Sequence, residues 1–95
     1  MPTKIYSVEL TGDAVQPITI PCGAQFLSAV RKPDRYVQMY FMGEELSDAM
    51  TMIVAQVHDD NKEKPMAEQS IRHIGSTFGI WESKFTTTHL FEILP

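Results

Sequence analysis

The chain has 95 residues, 43 % of them apolar, a formal net charge of −4 and one cysteine. Such a composition is that of a single globular domain over residues 1–95, and it excludes global disorder. No apolar run approaches the roughly 20 residues of a membrane helix, Cys22 has no internal disulfide partner, and only Arg31, Lys32 and Arg35 cluster among the basic residues, so membrane, disulfide-stapled and nucleic-acid-binding classes are set aside.

In chain order, the first element is a strand over Lys4–Leu10, with Tyr6, Val8 and Leu10 on one face and Ile5, Ser7 and Glu9 on the other. Thr11-Gly12-Asp13 is turn chemistry. A short strand follows over Gln16–Ile20. Ile18 and Ile20 point one way, and Pro17 and Pro21 bracket them, which suits an edge strand because proline cannot donate to a ladder. Pro21-Cys22-Gly23-Ala24 redirects the chain. Gln25–Lys32 and Arg35–Met42 read as a hairpin, with Pro33 at the second turn position, where its fixed φ fits. In the second of these strands Val37, Met39 and Phe41 oppose Tyr36, Gln38, Tyr40 and Met42. Both sets are largely apolar, which predicts a central strand covered on both sides.

Gly43–Ala49 reads as a loop that can hold one helical turn over Glu45–Met50. Met50–His58 is the next strand, with Ile53, Ala55 and Val57 on one face and Met52, Val54 and Gln56 on the other. Asp59–Gln69 is the most polar segment and reads as a long loop, with Pro65 placed to start a helical turn. Ser70–Ile80 and Phe85–Leu94 pair around Trp81-Glu82-Ser83-Lys84, and Gly75 and Gly79 predict a bulge, a bend or a close backbone approach. A strand at the chain's end frays unless it is paired. The opening strand is the expected partner, so that the two ends of the domain meet. The whole reads as all-β: a small antiparallel sandwich or open barrel of six to seven strands, with at most one short helix.

His58, His73 and His89 fall in or beside strands, with Asp59 and Asp60 nearby. Their spacing matches no ligand motif, so neither a metal nor a cofactor is assigned, and they read as strand-surface or half-buried histidines. A nucleophile argument can start from Cys22, in a turn after proline, or from Ser76 in Gly75-Ser76-Thr77-Phe78-Gly79. The chain has no nucleophile elbow, phosphate loop or dinucleotide fingerprint, so no catalytic residue is assigned and the chain is read as not an enzyme. Met39, Met42, Met50 and Met52 lie on neighbouring predicted strands. They fill the core, or Met42 and Met50 share an exposed face with Tyr40. Trp81 sits at a hairpin tip beside Phe78 and Phe85, as an interface anchor or as a lid on the core. The expected binding residues are therefore Tyr36, Tyr40, Met42, Met50, Met52 and Trp81.

Lys4-Ile5-Tyr6, the run Ile-Xaa-Ile-Pro-Xaa-Gly-Ala-Xaa-Xaa-Leu-Ser at Ile18 to Ser28, Ile74 to Phe78 and His89 to Glu92 together carry a resemblance. In these residues the chain resembles a family of small bacteriophage proteins of unknown function. The resemblance spans nearly the whole chain but departs over Arg31–Gln69, and Gly75-Ser76-Thr77 is looser than the family's Ile-Gly-Thr. It implies a phage origin and a β-rich domain of about this length, and it brings no activity and no site residue.

The preferred expectation is a non-enzymatic phage accessory protein in the host cytoplasm that binds a host or phage protein, inhibition of a host enzyme or defence system being one version. One alternative is a small-ligand binder that sequesters a nucleotide signal, for which Arg31, Arg35, Arg72 and the histidines are the candidate anion contacts. The other is a minor virion or assembly protein. A homodimer is compatible with each, since exposed strand edges invite pairing.

Overall fold

Seven strands follow in order: β1 (Thr3–Glu9), β2 (Val15–Pro21), β3 (Gln25–Arg31), β4 (Val37–Glu44), β5 (Ala49–His58), β6 (Ile71–Trp81) and β7 (Lys84–Ile93). The computed structural model describes residues 3–33, 35–45, 48–58, 70–81 and 83–94. The expected loop over Asp59–Gln69, with its helical turn at Pro65, lies outside the described residues. The expected turn of helix over Glu45–Met50 falls partly outside the described residues, and its last two residues, Ala49 and Met50, belong to β5.

The strands form two antiparallel sheets, β1-β4-β3 and β2-β5-β7-β6. They stack as a sandwich with its core between them, the architecture the alternation predicts. β2 is an edge strand, as its prolines require. The two ends of the domain do not pair. β1 pairs with β4, and β7 lies between β5 and β6 in the other sheet. Alternation says which side chains face inward but carries no information about which strand is the neighbour.

The inner faces alternate as expected. Ile18 and Ile20 of β2, Val37, Met39 and Phe41 of β4, Met52 and Val54 of β5 and Leu90 of β7 are buried together with Leu10. β4 is central in its sheet but covered on one side only. Gln38 and Tyr40 are half-buried and Met42 is exposed, because no further layer lies over the β1-β4-β3 sheet among the described residues. The Tyr40 hydroxyl donates to Gln38 Oε1 at 3.2 Å along this outer face.

Turns carry the chain between and within layers. Ala24 N–H donates to Pro21 C=O at 3.0 Å, with Gly23 at φ 78°, the left-handed value a type II turn needs at its third position. Arg35 N–H donates to Lys32 C=O at 3.1 Å, which closes the turn that Pro33 opens. Ser83 takes φ 64° in the tight turn between the paired Trp81 and Lys84.

The two glycines of β6 do what their position predicts. The β6–β7 register slips between His73 and Gly75, which is a bulge. A Cβ at Gly75 would lie 2.8 Å from Phe26 Cε2, and one at Gly79 would lie 2.9 Å from Arg31 Cγ. β3 and β6 therefore come together along one side of the sandwich only because β6 has no side chain at these two points.

Candidate functional site

The β6–β7 hairpin is the place where chemistry-bearing side chains gather on an outer face. Cross-strand partners share a face, so the pairs Ile71–Ile93, His73–Phe91, Ser76–His89, Phe78–Thr87 and Ile80–Phe85 all point away from the core. The alternate pairs Thr77–Thr88 and Gly75–Leu90 point into it. None of the outward pairs contains a charged residue, on a chain whose net charge is −4.

At the tip, Phe78 and Phe85 stack with ring centroids 5.2 Å apart and planes 1° from parallel. They are 63 % and 69 % exposed. Strand geometry causes this: the two are diagonal neighbours on one face, within reach for aromatic rings, and nothing among the described residues lies over them.

Farther along the same face, two imidazoles converge on one hydroxyl. Ser76 Oγ lies 2.7 Å from His89 Nδ1 and 3.1 Å from His73 Nε2. A hydroxyl donates to one ring nitrogen and accepts from an N–H on the other, so both contacts can be made at once. The His73 ring also meets Phe91 edge-on, with centroids 5.3 Å apart. In a regular strand His73 and Ser76 would face opposite sides. The bulge at Ile74 and Gly75 inserts one residue and puts both outside. Ser76 is exposed on a strand face, without the enclosure that substrate binding and acyl transfer need. Among the described residues, no three of His, Cys, Asp and Glu gather as a metal site.

The expected binding residues do not assemble. Met52 is buried in the core and Met50 is half-buried against it, both between the sheets. Met42 is 36 % exposed on the outside of the opposite sheet, next to half-buried Tyr40. The shared patch of Tyr40, Met42 and Met50 does not exist, because β4 and β5 belong to different sheets and the Met50 side faces inward. Tyr36 is 42 % exposed beside the Thr11–Asp13 turn, remote from Met42 along the sheet. Trp81 ends β6, and its side chain lies outside what the structure describes.

In the sequence, Gly75 is the signal of the His73–Ser76–His89 contact: a bulging glycine in a strand changes which residues share a face. Cys22 is exposed in its turn. Comparison with known proteins adds nothing to these residues: no family model, no curated protein and no solved structure matches the chain.

Proposed function

We propose that the chain is a small non-enzymatic accessory protein that binds a protein partner through the outer face of the β6–β7 hairpin. The observation that carries this reading is the stacked Phe78–Phe85 pair, exposed at 63 % and 69 % on a face without charged residues. Two adjoining phenylalanines left in water on a small domain are costly to keep exposed and favourable to bury, and aromatic side chains are enriched at protein interfaces. The partner presents a matching apolar, uncharged surface, and exposed His73 and half-buried His89 behind the pair supply hydrogen bonds at the rim. The bacteriophage origin and the host or phage identity of the partner rest on the resemblance in Lys4–Tyr6, Ile18–Ser28, Ile74–Phe78 and His89–Glu92.

The test compares the wild-type chain with Phe78→Ser/Phe85→Ser. Both rings are exposed, so the double variant keeps its fold by circular dichroism. The wild type retains a specific protein from host lysate at physiological salt, the purified pair binds in a calorimeter, and the double variant loses at least tenfold in affinity. Equal binding by both proteins overturns the reading. So does a wild-type homodimer that the double variant disperses in light scattering, which would assign the face to self-association.

A further inference from the structure

A strand at the edge of a sheet turns half of its backbone N–H and C=O groups away from its neighbour. The edges of the two sheets are β1 and β3, and β2 and β6. Three of these are closed to a further strand. A Cβ at Gly79 would lie 3.0 Å from the Arg31 carbonyl oxygen, and one at Gly75 would lie 2.8 Å from Phe26 Cε2. β3 and β6 therefore lie against each other and cover one another's edges. β2 is closed by its chemistry. Gln56 N–H donates to Ala14 C=O at 2.8 Å, and Cys22 N–H donates to Asp48 C=O at 2.6 Å. Between these bonds the β2–β5 register turns Gln16, Ile18 and Ile20 toward β5, and Val15, Pro17, Thr19 and Pro21 toward the open side. Two of those outward positions are proline, which has no N–H to offer.

β1 has no such protection. Leu10 N–H donates to Val37 C=O at 2.8 Å, and the β1–β4 register continues from that bond. Lys4, Tyr6 and Val8 therefore bond to β4, and Thr3, Ile5, Ser7 and Glu9 turn their backbone groups outward. None of these is proline, and among the described residues β4 is the only strand that pairs with β1. The same strand holds Ile5 62 % exposed on the outer face, next to Met42 at 36 %.

We propose that β1 is a self-pairing edge, through which two copies of the chain join antiparallel along Thr3–Glu9 into one continuous sheet. The occupant is the chain itself because the strand is complementary to its own reverse. With Tyr6 on the two-fold axis, Thr3 stands opposite Glu9, Lys4 opposite Val8 and Ile5 opposite Ser7 of the second copy. Every outward N–H and C=O then meets one from the other copy. No like charges stand opposite, and the Lys4 end of each strand runs beside the Glu9 end of the other. The two Ile5 side chains become diagonal neighbours across the axis, so the apolar surface each copy exposes is covered in the pair. A slip of one residue would set the inner face of one copy beside the outer face of the other, and a slip of two would shorten the ladder. The edge belongs to the sheet opposite the Phe78–Phe85 pair, so this dimer stands or falls independently of the protein-binding reading.

Sedimentation over a range of protein concentrations, read together with amide exchange, tests this. The wild type is expected to form a concentration-dependent dimer. As it forms, the Ile5, Ser7 and Glu9 amides should gain protection, while Val15 and Thr19 on the open side of β2 exchange as in the monomer. Ser7→Pro removes an outward N–H, and Ile5→Lys sets two like charges beside the axis. Each is expected to weaken the dimer about tenfold or more. Both side chains are exposed, and β2 already carries proline at outward positions of the same kind. Should Ser7→Pro fail to fold, Ile5→Lys decides. Phe78→Ser/Phe85→Ser is expected to dimerise as the wild type does. A wild type that stays monomeric at millimolar concentration overturns the proposal. So does a dimer that leaves the Ile5, Ser7 and Glu9 amides unprotected, one that Ile5→Lys leaves intact, or one that Phe78→Ser/Phe85→Ser disperses.

Discussion

The two ends of the sandwich interior come from the same strand alternation and are held in opposite ways. At one end Ile20, Phe26, Phe41, Met50, Met52 and Ile74 surround a cleft of about 250 Å³, rimmed by the Arg72–Glu92 ion pair. At the other, Gln16, Arg31, Gln56, Thr77 and Thr88 are buried around a smaller polar cleft. The apolar end is stabilised by area and shape, so it tolerates changes that conserve volume. The polar end holds only while its buried groups keep their partners.

The largest expected effect lies at the apolar end. Phe41 is 2 % exposed and meets Phe26 edge-on, with centroids 5.7 Å apart. Phe41→Ala removes both the ring's burial and that contact, and should cost about 3–5 kcal/mol. Urea unfolding midpoints at constant slope check it. A loss below about 1 kcal/mol would mean that this end can collapse onto the cavity, and the contrast with the polar end would weaken.

Gly79→Ala comes next. Its Cβ would press on the Arg31 stem and on a backbone carbonyl, which cannot step aside as a flexible side chain does. Overpacking of this kind typically costs about 1–3 kcal/mol. Gly75→Ala presses only on the Phe26 ring, at 2.8 Å, beside the roomier cleft. It should therefore cost less than Gly79→Ala in the same denaturation assay. The reverse order would show that the polar end, not the apolar end, has slack.

Gln56→Ala tests the polar end itself. It leaves the Thr11 and Asp13 carbonyls with only the Gln16 amide, at 3.3 Å and 3.1 Å, and should cost about 1–3 kcal/mol. Amide exchange in the Leu10–Ala14 crossing should quicken, while the Pro21–Ala24 turn at the other end keeps its protection.

All seven strands were legible in the sequence to within a residue or two, because alternation with a period of two is strong in Lys4–Leu10, Val37–Met42 and Phe85–Leu94. Partnership was not. The strand that starts the domain was expected beside the strand that ends it, and it pairs with β4 instead. The same blindness put Met42 and Met50 on one imagined face, when a change of sheet between β4 and β5 sets them on different layers. Gly75 and Gly79 were read correctly as points of bulge or close approach. Their consequences, His73 beside Ser76 and Arg31 across β6, needed the third dimension. The candidate sites lie where a local irregularity meets a long-range neighbour, and single-strand patterns encode only the first.

The smallest expected effect concerns a charged pair at the rim of the apolar end. Arg72 pairs with Glu92 across β6 and β7, with Arg72 68 % exposed and Glu92 14 % exposed. An ion pair with one side in solvent contributes about 0–1 kcal/mol, since water screens it and two long side chains must be ordered. Arg72→Ala should therefore shift the unfolding midpoint little, and less at high salt. It separates the two ends in a way the larger substitutions cannot. If charge at the apolar rim is only decoration on a packed core, Arg72→Ala costs under about 1 kcal/mol. If it costs more than Gln56→Ala, Glu92 depends on its partner as a buried carboxylate does, and both ends of this interior are held by polar contacts.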